Sequence, residues 1–307
     1  MKFTILVPNS LRVRAVTQPW QAKLGPVEIA RVVALAEEVG YHKATLGEHV
    51  LMPEAHLDAS GPQWPDVTTT LAFVAAQAPS LRVGSGVSVL PLQHPIVQAK
   101  RWATLDWLSG GRADLHIGVG WLKDEFDVLG VDFTQRGRIA DEYIEAIITL
   151  WTEETPSFSG RFVSFPPLAA EPKPVQKPHI PLWFGGSSDA MMRRVAKWGA
   201  GWTPFLVAPE EFPARMDRIR SRPEYDGRTI ELHLGLGSLK LASESHRASG
   251  AGGQYETWNA QELIDLLSRL SALGVTQVTM STPPLRDLEH YLDRLRWEGS
   301  EVFPHVE

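Results

Sequence analysis

Residues 180–201 read IPLWFGGSSDAMMRRVAKWGAG. Residues 181–184 are short, apolar and aromatic, the pattern of a buried strand. Gly185 and Gly186 follow, and residues without a Cβ let a backbone turn tightly and come close to a ligand. Ser187 or Ser188 can cap the helix that comes next, with Asp189 in its first turn. Met192, Val195 and Ala196 are spaced to face a core, while Arg193, Arg194 and Lys197 fall on the other side. The unit is therefore strand, Gly-Gly turn, open helix N-terminus. Free N–H groups and the helix dipole make such an end an anion site. The same residues also suit an ordinary capped turn, because Gly-Gly-Ser is far less specific than a full phosphate loop.

Outward from this unit the same alternation recurs. Strand patterns fall at 2–7, 43–47, 81–90, 112–119, 181–184, 201–205, 229–241 and 275–281. Helical patterns lie between and after them, at 26–40, 66–78, 95–108, 134–153, 209–220, 260–273 and 285–297, besides the helix of the opening stretch. A short helical stretch also falls at 122–129. Strand–helix alternation argues for a parallel sheet, and eight units in 307 residues fit an α/β fold of the closed (β/α)8 TIM-barrel type. A doubly wound open sheet is the other architecture with this alternation. The pattern breaks once, between the fourth helix and the fifth strand. There 157–165 reads as a hairpin turning at Gly160, and 168–178 is proline-rich. The expectation is a single domain over 1–307 with a hairpin insertion at about 154–179. The polar, Gly/Ser-rich stretch 242–258 reads as a mobile loop.

Composition narrows the chemistry. The chain is 43% hydrophobic and 21% charged, with a net charge of −6, which gives no support for a nucleic-acid partner. It has no cysteine, so disulfides, thiol catalysis and zinc–thiolate sites are excluded. No apolar run is long enough to span a membrane, and MKFTILVPNS lacks the pattern of a signal peptide. A cytoplasmic protein acting on a small molecule is expected.

In a barrel, function sits at the C-terminal ends of the strands. The second strand offers Glu48 and His49, the third Ser88 and Val89, the fourth Gly118, Gly120 and Trp121, and the fifth Gly185, Gly186, Ser187 and Ser188. His49 can bind a cofactor oxygen or move a proton near neutral pH, or simply be a hydrogen-bonded rim histidine. Glu48 either orients it or lies buried beneath the site. Gly118-Val119-Gly120 with Trp121 permits close approach of something flat, or else makes a tight turn into a packing helix. Arg136 and Arg138, ahead of Asp141 and Glu142, read as a solvated charged face or local ion pairs. His94, His116 and His179 form no metal spacing with His49, and no metal site is expected.

Several stretches carry a family signature. They are TLGEHV (45–50), RVGSGVSVLPLQHP (82–95), SGGRADLHIGVGWLKDEFDVLGVDFTQRGRIADE (109–142), LWTEETPSFSGRFVSF (150–165) and PKPVQKPHIPLWFGGSSDAMMRRVAKWGAGW (172–202). In this order they resemble the luciferase-like monooxygenase superfamily, and more closely its coenzyme F420-dependent oxidoreductase branch. The block G-V-G-W-x-x-x-E-F followed by R-G-R-x-x-D-E is the most specific part. The resemblance implies a TIM barrel holding a flat deazaflavin or isoalloxazine ring at its C-terminal face. The cofactor phosphate would sit on Gly185–Ser188, and His49 would be the ring-adjacent histidine. Ser88-Val89 would be the place of a non-prolyl cis peptide backing the ring. Family members are commonly homodimers, for which the second and third helices, with Trp102 and Trp107, are candidate contact surface. The implied activity is hydride transfer between F420 and a small organic substrate, set by loops at 51–64, 121–133 and 242–258. Trp64, Trp121, Phe126 and Trp258 suggest an apolar pocket wall. The alternative on the same scaffold is an FMN-dependent monooxygenase. A lyase or isomerase using the fifth-strand site for a substrate phosphate would need a lysine or paired carboxylates at the strand ends. A non-catalytic flavin-binding barrel is the remaining reading.

Overall fold

In the computed structural model, which describes residues 1–13, 17–237 and 257–306, eleven strands follow one another. They are β1 (Lys2–Leu6), β2 (Lys43–Leu46), β3 (Arg82–Ser85), β4 (Ser88–Val89), β5 (Ala113–Gly118), β6 (Phe158–Ser159), β7 (Ser164–Phe165), β8 (Leu182–Gly185), β9 (Gly201–Thr203), β10 (Glu231–Gly235) and β11 (Gln277–Thr279). The helices are α1 (Pro26–Glu38), α2 (Leu57–Ser60), α3 (Val67–Gln77), α4 (Pro95–Ser109), α5 (Lys123–Val128), α6 (Arg136–Thr152), α7 (Asp189–Trp198), α8 (Phe212–Arg220), α9 (Ala260–Ala272) and α10 (Leu288–Trp297).

The sheet runs β3-β2-β1-β11-β10-β9-β8-β5, and β5 pairs back with β3. All these pairings are parallel, so the ring closes as a (β/α)8 TIM barrel. The antiparallel β6–β7 hairpin sits between α6 and β8, where the sequence pattern breaks. Side-chain caps start several helices. Asp66 accepts from Thr69 N at the start of α3, Ser188 from Met191 N at α7, and Asp287 from His290 N at α10. The last cap explains why α10 begins at Leu288 rather than at 285. Residues 238–241 of the expected seventh strand, and most of the 242–258 loop, lie outside the described residues. Among the described residues no helix is long and apolar enough to cross a membrane.

One stave departs from its sequence pattern. Residues 82–90 read as a continuous strand, but the chain breaks after Ser85, passes through a cis Gly86–Val87 peptide, and rejoins the sheet as β4 beside β5. The cis bond therefore lies two residues before Ser88-Val89, where the resemblance placed it.

The barrel interior is polar through its lower and middle layers. Lys43 and His116 are fully buried, with Asp114 and His233 nearly so. Lys43 Nζ lies 2.7 Å from Asp114, which also holds Arg82 at 2.5 Å. Asp114 pays for its own desolvation, yet Lys43 and Arg82 hold its carboxyl below the usual range. The His116 ring stacks on Trp183 at 4.8 Å and 2°. The hydrophobic core proper lies outside this ring, between strands and helices, where Trp102, Trp202 and Phe212 are fully buried.

Candidate active site

The upper layer of the barrel is built from small residues. A Cβ on Gly118 would stand 2.6 Å from Val87 Cγ2, and one on Gly185 would stand 2.7 Å from Val87 Cγ1. Real Cβ atoms do not approach that closely, so two glycines make room for the side chain that the cis peptide delivers. Gly86 is exposed and Val87 half-buried, whereas Ser88 and Val89 are buried in register with Ile117 and Gly118. The part of this stave that faces the mouth is therefore Gly86–Val87; Ser88 and Val89 lie in the sheet behind it. Gly120, at φ +81°, is crowded in the same way: its Cβ would meet Phe126 at 2.6 Å and Val89 at 2.7 Å. Of the two readings of the Gly118–Trp121 turn, the tight turn into a packing helix describes its glycines. Phe126 is fully buried beneath the turn and forms no pocket wall. Trp258 stacks on His290 and borders Trp297, so it packs on α10.

His49 stands at the end of the second stave. Its Nδ1 is 3.0 Å from Glu125 Oε2. Glu125 also accepts from Val50 N at 2.5 Å, and its side chain is 1% exposed. A carboxylate only accepts, so Nδ1 carries a hydrogen, and in the neutral imidazole Nε2 is the acceptor. No described residue bonds that Nε2. Trp64 and Trp121 stand edge-on to the imidazole, at 4.6 and 5.9 Å. Trp121 is 59% exposed, so the histidine has an aromatic fence open to solvent on one side.

Glu48 points elsewhere. Its carboxylate accepts from Val89 N at 2.7 Å and from Gln93 Nε2 at 3.1 Å. It pins the β4 segment and makes no contact with His49. Burial pushes its carboxyl up to about 7, against the hydrogen bond from Val89 that pulls it down. The orienting carboxylate is thus Glu125, which sequence reasoning missed. Its one signal was membership of the G-V-G-W-x-x-x-E-F block.

The fifth-stave turn matches its sequence reading closely in geometry. Gly186 has φ +120°, and a Cβ there would meet only Met191, at 3.7 Å. Its N–H donates to Thr203 O at 3.0 Å. Ser188 caps α7 by accepting from Met191 N at 3.2 Å. The first-turn N–H groups of Asp189 and Ala190 have no intrahelical acceptor. Arg215 donates to Ser187 O at 3.1 Å, and Arg218 and Arg222 bracket Asp189 at 2.6 and 2.5 Å. Arg218 and Arg222 thus neutralise Asp189 in the first turn of α7, while Arg215 also pairs with Glu211 at 2.9 Å. The open turn and the unpaired N–H groups at the start of α7 fit a phosphate.

The second specific block is structural. Arg136 donates to Gly120 O at 3.1 Å and Phe133 O at 2.8 Å. Asp141 takes Arg193 and Arg194 of α7, at 2.7 and 2.6 Å, and Glu142 accepts three backbone N–H groups of the hairpin turn at 161–163. Asp141 and Glu142 make long-range ties rather than a solvated face or local pairs; Arg138 bonds locally, to Gln135 at 3.3 Å. Trp102 is core, while Trp107 on the same helix is 59% exposed. Lys43 does not supply the lysine of a lyase mouth, because it begins its strand and is sealed inside the barrel with Asp114. Among the described residues no group of three His, Asp or Glu side chains could hold a metal ion.

Comparison with known proteins supplies the family and the fold. Residues 1–250 match the family model described as luciferase-like monooxygenase. An uncharacterized protein of Mycobacterium tuberculosis is 32% identical over 285 residues, covering 87% of this chain and 92% of that protein. The FMNH2-dependent dimethylsulfone monooxygenase of Pseudomonas putida is 29% identical over 260 residues, covering 82% of this chain and 68% of the enzyme. Among solved structures, the monooxygenase RslO1 from Streptomyces bottropensis superposes with a TM-score of 0.79 at 22% identity, each chain 99% covered. The coenzyme F420-dependent tetrahydromethanopterin reductase from Methanopyrus kandleri superposes with a TM-score of 0.73 at 19% identity, over 100% of this chain and 99% of that one.

Proposed function

We propose that this chain, which belongs to the luciferase-like monooxygenase family, is an F420-dependent oxidoreductase acting on a small organic substrate. The observation that carries an oxidoreductase role is the His49–Glu125 pair at the barrel mouth, on the same rim of the barrel as an open phosphate-type turn. Bound there, the deazaflavin would supply a carbon that gives or takes hydride, with the protein contributing position and electrostatics. Gly185, Gly186, Ser187 and Ser188 would hold the phosphate, and the exposed Gly86–Val87 peptide would form the floor under the ring. Glu125 fixes the His49 tautomer, so Nε2 can accept a proton or a hydrogen bond from the reacting group. Trp64 and Trp121 limit water at that nitrogen. The choice of F420 rests on the resemblance of the G-V-G-W and R-G-R-x-x-D-E blocks.

The second reading is a reduced-FMN monooxygenase, favoured by the 29% identity to the dimethylsulfone enzyme. Both cofactors bring a ring and a phosphate, so the same residues would serve. The deciding experiment is purification from a host that makes both, followed by the absorption spectrum and mass of the bound cofactor. A deazaflavin supports the first reading; bound FMN, with oxygen consumed by the reduced form, replaces it with the second. Recovery of neither, with no affinity for either on titration, removes both.

A further inference from the structure

A hydrogen-bond chain climbs the barrel interior in one direction. Asp114, held as a carboxylate, faces Lys43 Nζ at 2.7 Å. Lys43 Nζ lies 3.4 Å from His116 Nε2. An ammonium group has donors and no acceptor, so Nε2 must accept. Burial, then Lys43 and His233, push the His116 imidazole well below its usual range, so it stays neutral and carries its one hydrogen on Nδ1. Nδ1 lies 3.2 Å from Thr203 Oγ1. The stack on Trp183 holds the ring in this plane. Thr203 oxygen therefore accepts from below, and its own hydrogen must go to something else.

Thr203 closes β9, opposite Gly185, and its carbonyl holds the Gly186 N–H. It is half-buried, and no described residue accepts its hydroxyl hydrogen. We propose that Thr203 is a one-way hydrogen-bond donor to the ligand, oriented by Lys43 through His116, and that it takes a carbonyl oxygen or anionic ring atom of the bound redox group. This rests on the redox-cofactor reading above. A ligand edge presenting N–H at this place would meet a donor that cannot turn, so Thr203 also sets which edge of the ring enters. Thr203 is the contacting residue; Lys43 and His116 are positioning residues.

Two measurements test it. The first uses cofactor-free protein labelled with 15N-histidine. The His116 ring should show hydrogen on Nδ1, unchanged from about pH 5 to 9. Hydrogen on Nε2 reverses the chain and overturns the proposal. The second titrates FMN and F420 separately into wild type, Thr203→Val and Thr203→Ser, with inorganic phosphate as competitor. Thr203→Val should lose about 5- to 10-fold affinity for the cofactor that wild type binds, the size of one net hydrogen bond. Thr203→Ser should stay within about twofold, and phosphate competition should not change in either variant. Equal cofactor affinity in Thr203→Val and wild type overturns the proposal. If wild type binds neither cofactor, the redox-cofactor reading fails, and the donor direction of Thr203 then stands or falls on the imidazole tautomer.

Discussion

His49 Nδ1 and Glu125 Oε2 lie 3.0 Å apart, joining the end of β2 to a short helix 76 residues further along the chain. The carboxylate also accepts from Val50 and Leu51 N–H, so its position is set by backbone as well as by the ring. Glu125→Gln would keep one oxygen for Val50 but turn an NH2 group toward Nδ1. The histidine would then accept at Nδ1 and carry its hydrogen on Nε2, the wrong tautomer for accepting a proton. We expect Glu125→Gln and His49→Ala each to slow turnover by ~10²-fold or more, within the range for losing a positioned acid or base. On the proposed assignment of the phosphate to Gly185–Ser188, cofactor affinity should change little. Binding titrations paired with stopped-flow transfer rates check this; a full transfer rate in either variant removes the pair from the mechanism.

The phosphate turn makes a different prediction. Ser187→Asp places a carboxylate at the open N-terminus of α7, where an anion would bind. Arg215 holds the Ser187 carbonyl and Arg218 and Arg222 are engaged by Asp189, so no free guanidinium remains nearby to neutralise it. Cofactor affinity should fall by roughly 10- to 100-fold, each tenfold being about 1.4 kcal/mol. The melting temperature should hold or rise slightly, because an acidic group suits a helix start. Unchanged affinity would remove the phosphate assignment and leave the fold standing.

Val87 supplies a stability test that needs no ligand. Its two methyl groups fill the places of the missing Cβ atoms of Gly118 and Gly185. Gly118→Ala and Gly185→Ala should each destabilise by about 1–3 kcal/mol, the usual cost of overpacking. Val87→Ala removes both methyls, so either alanine should cost much less in that background. The double-mutant cycle by urea denaturation should show coupling of about 1 kcal/mol or more. Additive costs would mean that the glycines are needed for something other than room for Val87.

These contacts show where sequence reading stops. The eight-fold alternation was legible because each strand–helix pair carries its own period and its own turn. The Gly185–Ser188 turn was legible for the same reason: strand, turn and cap are contiguous. The break in the third stave was not, since RVGSGVSVL has the local pattern of one strand. What interrupts it is tertiary, namely Gly86 against Thr45 and Val87 between Gly118 and Gly185. Glu125 was hidden among the charged neighbours of KDEFD; only the fold brings its carboxylate under His49. Glu48, adjacent to His49 in sequence, reads either as its orienting partner or as a group buried beneath the site. Both lie beyond the end of β2, where His49 turns to Glu125 and Glu48 to Val89 and Gln93.

Glu48 and the buried histidines pull the pH dependence of stability in opposite directions. Glu48 titrates at about 7 in the folded chain and at 4.5 ordinarily. Between those values the folded state holds a proton that the unfolded state has lost, so stability falls as pH rises, by up to about 3 kcal/mol from this group. Burial, reinforced by Lys43, lowers His42 to about 4 and His233 to about 3, from 6.5. Between about 4 and 6.5 the unfolded state takes up protons that these imidazoles refuse, so their contribution rises with pH and is lost as pH falls. Over the shared window the two slopes partly cancel. Glu48→Gln removes the falling slope and leaves the rising one. The variant should therefore gain stability between pH 5 and 7 more steeply than wild type, and exceed its own pH 5 value clearly at pH 7 and above. The Gln side chain can still accept from Val89 N, which keeps the β4 segment in place. Urea midpoints at a series of pH values measure both slopes. Parallel curves for variant and wild type would show that Glu48 ionises in the folded protein as an ordinary carboxylate, with its two N–H donors outweighing its burial.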